Sequence, residues 1–259
     1  MAQRTWRSHE VAQSAVMVAA LLVWQAGVHA QRGRGQPPAT AKAAAPIDVT
    51  GYWVAEITED WRWRMVTPAK GDYSSIPITP AAQKVADAWD PAKDEAAGEQ
   101  CKSYGAPALM RAPTRLNITW EDESTLKVQA DLWMQTRLLH FGNWKSPGGA
   151  PTWQGDSVAR WETPQGRGSS PGARSGTLVA VTSHLRPGYL RKNGVPYSAD
   201  TTMTEYVDLV KEPTGEQRML LLIVVEDPVY LQTPWIVPVH FKKESNGAKW
   251  DPSPCSAKW

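Results

Sequence analysis

Between Ile47 and Phe241 the chain breaks into short apolar or alternating runs, separated by clusters of Gly, Pro, Asn, Asp and Ser. That rhythm is the tightest constraint on what the chain can fold into, because it fits strands and turns rather than long helices. The stretch Pro151–Glu162 shows it best. Trp153 precedes the turn-prone Gln154-Gly155-Asp156-Ser157, and an alternating run follows. In an extended strand Ser157, Ala159 and Trp161 face one way, and Val158 and Arg160 face the other. A large aromatic and a long cation thus stand on opposite faces of one strand.

Taken in order, structure is expected to begin at Ile47, and Gly51-Tyr52-Trp53 opens a strand running to about Thr58. Asp60–Val66 alternates Trp61, Trp63 and Met65 with Arg62 and Arg64, which fits a strand with one apolar and one cationic face. The arginines are a solvated face if the apolar side packs a core; turned into a barrel, they would hold an anionic group. Thr79-Pro80 is a helix start, with Thr79 as N-cap and Pro80 in the first helical position, so Pro80–Trp89 reads as a helix. The charged Asp94–Gln100 can add a turn. Thr114–Trp120 and Thr125–Ala130 flank the hairpin loop Glu121-Asp122-Glu123-Ser124. Further strands are expected over Leu132–Phe141, Thr177–Ser183, Thr202–Val210, Arg218–Val225 and Pro234–Phe241, with Pro187–Ser198 as a turn-rich connection. No fixed-period repeat is present. Many short strands with one short helix imply an all-β fold. A single antiparallel β-barrel over residues 47–259 is favoured over a sandwich, because each strand pairs naturally with the next.

The N-terminus carries its own signal. Arg4 and Arg7 precede the apolar run Ser14–Trp24, which is short for a membrane span, and Val28-His29-Ala30 presents small residues at the two positions a signal peptidase reads. Residues 1–30 therefore read as a signal peptide, and the Arg-, Gly-, Pro- and Ala-rich residues 31–46 as a flexible linker. Export places the protein in the periplasm or outside the cell. There the two cysteines, Cys101 and Cys255, can pair. Removing residues 1–30 takes away Arg4, Arg7 and Glu10 and lowers the net charge from +2 to +1, so charge gives no reason to expect nucleic acid or an acidic membrane surface as partner. No integral membrane segment is expected after cleavage, and no cofactor is called for.

Several motifs, taken together, resemble a large group of exported bacterial proteins of unassigned function. They are Cys101 through Gly105 to Met110, Thr136-Arg137-Leu138-Leu139-His140, Pro151–Ser157 with Arg160-Trp161-Glu162, Thr177-Leu178-Val179, Met203-Thr204-Glu205, and Glu226-Asp227-Pro228 through Pro234-Trp235. The resemblance spans roughly residues 47–255 and implies a secreted β domain. Three departures mark this chain: Thr163–Gly176 intervenes where the group passes directly into Thr-Leu-Val, Val181 stands where an Asp is usual, and Tyr197 where a His is usual. Gly51-Tyr52-Trp53 is also similar to the Gly-x-Trp that opens lipocalin-type barrels, in which the Trp plugs the closed end. Gly155-Asp156-Ser157 resembles the nucleophile block of a lipase and esterase family. That chemistry needs an Asp-x-x-His near the C-terminus, which this chain lacks, so a turn is the better reading.

Fourteen Trp against two Phe point to an interior or a binding wall built from flat aromatic surface. The leading expectation is an exported barrel that binds a hydrophobic or aromatic small molecule. Trp61, Trp63, Trp153 and Trp161 would give the surface, and Arg137 or Arg160 would fix a polar end. The alternatives are a cofactor-free isomerase, lyase or hydrolase using Glu205 or His140 as base, and a structural envelope protein. Glu205 lies in the otherwise uncharged run Thr201–Val207, so if it points inward it needs Arg137 or Arg160 as partner. His140, His184 and His240 lie on separate strands or strand ends without metal-type spacing, so no metal site is assigned.

Overall fold

The computed structural model describes residues 39–163 and 175–257. The expected signal peptide, the first part of the linker and residues 164–174 of the insertion lie outside the described residues. Nine of the eleven strands close into a barrel. They are β1 (Gly51–Glu56), β2 (Arg115–Trp120), β3 (Thr125–Ala130), β4 (Thr136–Phe141), β5 (Asp156–Glu162), β6 (Thr177–Ser183), β9 (Thr202–Lys211), β10 (Gln217–Glu226) and β11 (Trp235–Glu244). The order round the barrel is β1-β11-β10-β9-β6-β5-β4-β3-β2. The remaining pair, β7 (Gly188–Arg191) and β8 (Val195–Tyr197), forms a separate hairpin.

The β2–β3 hairpin closes round Glu121–Ser124 as the sequence implies. β5 carries Ser157 and Ala159 inward and leaves Val158 and Arg160 exposed, so the alternation read from Pro151–Glu162 holds. Alternation also builds the interior from Leu116 and Ile118 on β2, Leu126 and Val128 on β3, Met219 and Leu221 on β10, and Val239 and Phe241 on β11. Each such side chain contributes roughly 1.5–3 kcal/mol by leaving water. Trp53 is fully buried and donates its indole N–H to the Val49 carbonyl at 2.9 Å. One pairing departs from simple alternation: β4 and β5 run parallel, because residues 142–155 carry the chain back along the barrel before β5 starts. Strand directions then place the connections 57–114, 131–135, 184–201 and 227–234 at one end. The turns 121–124 and 212–216 lie at the other.

The richer end holds the helices: α1 (Trp61–Arg64), α2 (Pro80–Asp87), α3 (Pro91–Ala96), a 3-10 turn (Lys102–Tyr104) and α4 (Ala106–Leu109). The chain therefore has several short helices rather than one. α2 is capped as expected, Thr79 Oγ1 accepting from Ala82 N at 3.2 Å. Its buried stripe is Ala82 and Ala86 rather than Val85, which is exposed.

Three sequence expectations are corrected at this end. Asp60–Val66 is a single helical turn, not a strand. Asp60 adopts a left-handed backbone at φ 51°, and Arg64 turns inward to donate from Nε to the Arg111 carbonyl at 2.8 Å. The cation is buried and Trp61 is 63% exposed, the reverse of the expected faces. The strand expected from Leu132 starts only at Thr136, because Trp133 and Met134 both take left-handed conformations in a turn. The Asp131 carboxylate holds that turn, accepting from Thr114 Oγ1, Arg115 N and Leu132 N at 2.7–2.8 Å. Pro187–Ser198 is not an irregular connection but the buried β7–β8 hairpin. Its Gly194 has φ 85°, and a Cβ there would lie 2.3 Å from the Trp89 side chain, so only glycine allows the helical segment to sit on the hairpin.

At the opposite end, residues 40–46 of the expected linker lie against the barrel. Thr40 Oγ1 donates to the Glu123 carboxylate at 2.8 Å, and the Ala41 carbonyl accepts the indole N–H of Trp161, also at 2.8 Å. Cys101 and Cys255 form a disulfide, the pairing expected from the sequence, tying the C-terminal tail to the helical end. Among the described residues no helix is long and apolar enough to cross a membrane.

Candidate functional site

The barrel interior is filled. A gap of about 30 Å³ inside it, room for a water, is bounded by apolar side chains with Arg137 and Glu205 among them. Arg137 donates from Nη1 to Glu205 Oε1 at 2.8 Å and from Nη2 to Glu205 Oε2 at 2.5 Å. Nη2 also reaches Thr182 Oγ1 at 3.2 Å, and Thr182 in turn bonds Ser157. Glu205 does point inward, and of its two anticipated partners Arg137 supplies the charge. Arg160 lies on the outer surface and pairs with Glu162.

The other anticipated site residues are dispersed. Trp161 is partly buried and packs on Phe141 of the core, ring centroids 5.2 Å apart. Trp153 is half-buried beneath the Arg186 guanidinium, 4.4 Å from its ring centroid. His140 lies on the outward face of β4, stacked on Trp144 at 4.1 Å, and burial holds its imidazole below the usual range. The barrel wall therefore separates His140 from Glu205. His184 pairs with Asp156 at 2.9 Å and His240 with Glu59 at 2.5 Å. Among the described residues no group of His, Cys, Asp or Glu is arranged to hold a metal.

What the fold does bring together is a cleft at the helical end. Trp63 and Arg64 come from α1, Ser103 and Tyr104 from the 3-10 turn, Arg111 from just beyond α4, Trp133 from the β3–β4 turn, and Arg191 and Lys192 from the β7–β8 hairpin. Its open space is again about 30 Å³, the size of a carboxylate head rather than a whole organic molecule. Tyr104 and Trp133 stack with centroids 3.9 Å apart and planes 14° from parallel. Arg191 approaches the Trp63 ring at 5.3 Å, Arg111 the Trp235 ring at 4.7 Å, and Lys192 the Trp133 ring at 4.9 Å, so aromatic faces carry the cations.

Three carboxylates act on these four cations, Glu59, Asp60 and Asp72, the charges of Asp60 and Asp72 both reaching Arg191. Glu59 pairs with Arg64 at 3.1 Å and Asp60 with Arg111 at 3.0 Å. Arg191 is held by neutral oxygens, donating to the Ser74 carbonyl at 2.9 Å and Ser75 Oγ at 3.0 Å. Three buried guanidinium nitrogens, Arg64 Nη2, Arg111 Nε and Arg191 Nε, have no hydrogen-bond partner among the described residues. Burial, then the nearby Arg191 charge, draws Arg111 down to about 10; burial draws Arg191 to about 10 against the opposing charges of Asp60 and Asp72, and burial draws Lys192 to about 8. Crowded, desolvated cations with spare donors form an environment that an anion relieves.

Comparison with protein-family models, curated proteins and solved structures finds no match for the chain. Geometry therefore carries the functional case alone. Two wider grooves, of about 420 Å³ each, run past Lys42–Thr50 with Trp120 and past Lys84–Asp94 with Tyr189, but neither contains a buried unpartnered donor.

Of the cleft residues, the sequence singled out Trp63, and it allowed Arg64 an anion-holding role only within a strand. Arg111, Arg191 and Lys192 were missed. The available signal was a cation set inside apolar surroundings, Ala108-Leu109-Met110-Arg111-Ala112 and Tyr189-Leu190-Arg191-Lys192.

Proposed function

We propose that the protein binds a small organic anion carrying a flat apolar body, an aromatic carboxylate being the simplest case. The head group enters the cleft between Arg64, Arg111 and Arg191, and the body lies over the aromatic rim. The observation that carries this reading is the set of three buried guanidinium nitrogens, left without partners among the described residues, on side chains that line one aromatic-walled cleft. A carboxylate accepts several such bonds at once, and charge-assisted bonds are about twice as strong as neutral ones. The neighbouring exposed surface suits the rest of such a ligand: Trp61, Met65 and Val66 beside Trp63, and Met134 beside Trp133, are large apolar side chains left in solvent. Singly exposed apolar residues are ordinary, but these flank the cleft in sequence on two of its walls.

The test is a titration of the native protein with benzoate and with benzyl alcohol, followed by tryptophan fluorescence. Benzoate is expected to bind more tightly than the alcohol. Arg191→Met should weaken benzoate about tenfold or more, since a lost charge-assisted bond costs roughly 1.5–3 kcal/mol. Arg160→Ala, on the outer wall of the barrel, should leave binding unchanged. Equal affinity for acid and alcohol, or an Arg191→Met protein that binds benzoate normally, sinks the proposal.

A further inference from the structure

We propose that Lys192 captures a carbonyl carbon on the bound anion as an imine, which makes 2-oxo acids the ligand class of the cleft. This inference rests on the anion-binding reading above and adds the reacting group. Of the four cations lining the cleft, the three guanidiniums stay protonated at neutral pH and can only donate, whereas an ammonium can give up its proton and become a nucleophile. Lys192 lines the same cleft of about 30 Å³ as the three arginines, with its Nζ over the ring of Trp133, another of its walls. A carboxylate held by the arginines therefore brings the adjacent carbon, which in a 2-oxo acid is the carbonyl, towards the lysine.

The local environment favours this division of labour. Lys192 follows Arg191 directly, at the end of β7, and its Nζ sits 4.9 Å from the centroid of Trp133. Burial pulls its ammonium down to about 8, so a substantial fraction is neutral amine near physiological pH. By contrast Lys93, a surface lysine on α3, has its side chain 82% exposed.

The step balances without any oxidant or reductant. The neutral amine lone pair forms a bond to the carbonyl carbon while the carbonyl π pair moves onto oxygen. The two protons shed in turn by nitrogen convert that oxygen to water, which departs, leaving a neutral C=N bond. Water is the only other product. The nearby guanidiniums hold the carboxylate throughout.

Intact protein is incubated with glyoxylate or phenylpyruvate plus cyanoborohydride, which reduces an imine to a stable secondary amine, and is then mapped by peptide mass spectrometry. The expected result is one dominant adduct, on Lys192, formed faster as pH rises through about 8 and suppressed by excess benzoate. Lys192→Arg should lose the adduct. Labelling spread over surface lysines such as Lys93, or no adduct in a protein that still binds benzoate, overturns the lysine role and leaves the anion site standing. Loss of benzoate binding in the native protein overturns the site itself. The peptide map of the unsubstituted protein decides the matter even if the Lys192→Arg protein fails to fold.

Discussion

Arg137 and Glu205 show what one charged pair does inside a barrel. Both side chains are nearly sealed, at 2% and 4% exposure, and the bidentate contact neutralises each within an otherwise apolar shell. Removing one partner leaves the other charge buried and unpaired, which costs about 3–5 kcal/mol, whereas replacing both by apolar groups of similar volume is often neutral or stabilising. Glu205→Ala is therefore expected to lower the free energy of unfolding by roughly that amount, and Arg137→Met with Glu205→Leu to recover most of it. Denaturant unfolding of the two variants checks this. A double variant as unstable as the single one would mean that Thr182 and Ser157, which complete the polar cluster, need the charges. Catalysis by Glu205 gains nothing from this geometry, because both its oxygens are already taken by the arginine.

At the level of elements, Asp227 explains why Glu226-Asp227-Pro228 is placed where β10 gives way to β11. Its carboxylate accepts from Ser198 N at 2.6 Å, Thr201 Oγ1 at 2.8 Å, Val229 N at 2.8 Å and Tyr230 N at 3.0 Å, so it binds the end of the β7–β8 segment to the β10–β11 turn. Burial pushes its pKa up, but the donors from Ser198, Tyr230, Thr201 and Val229 outweigh that and hold it below the ordinary 3.8. A carboxylate whose folded pKa is depressed adds stability that is fully present above the unfolded value and lost as pH falls through the folded one. Stability should therefore decline as pH drops below about 3.8, and Asp227→Asn should remove this part of the decline while being less stable at neutral pH. Parallel pH profiles for the two proteins would show that Asp227 is not the group responsible.

The same junctions mark how far the sequence could be read. The long strands β9, β10 and β11 and the β2–β3 hairpin were legible because alternation reports a sheet with one face in the core. The β7–β8 hairpin was not: all seven of its strand residues are buried, so neither strand alternates and its Gly and Pro read as breakers. The turn Trp61–Arg64 misled for the opposite reason, since four residues of Trp and Arg satisfy a period of two as well as one helical turn. The Arg137–Glu205 pair was legible because a carboxylate in an apolar strand needs a cation. The cleft was not, because its residues come from three separate connections, 57–114, 131–135 and 184–201, that meet only when the barrel closes.

For the whole molecule, the decisive asymmetry is that, among the described residues, one barrel end carries most of the irregular connections between strands, and a single covalent link spans it. Cys101 and Cys255 lie 154 residues apart in sequence. In the chain-entropy account a loop of that length is worth about 5 kcal/mol, although native disulfides commonly contribute ~2–4 kcal/mol. Non-covalent contacts also hold the tail: Ser253 N donates to the Asp131 carbonyl at 3.0 Å, Ala257 N to the Glu95 carboxylate at 2.9 Å, and Tyr104 Oη to the Ser256 carbonyl at 2.7 Å. Tyr104 and its stacking partner Trp133 are cleft walls, so the bridge clamps the proposed site as well as the tail. Reduction, or Cys101→Ser with Cys255→Ser, should lower the melting temperature, and below the new melting point it should weaken benzoate while leaving the far-ultraviolet β signature intact. The barrel ladder runs through strands that the bridge does not join, so it should persist without it. An unchanged melting temperature, with both thiols shown to be free by alkylation, would mean the non-covalent contacts of the tail suffice. Unchanged benzoate affinity in the reduced protein would separate the cleft from the clamp.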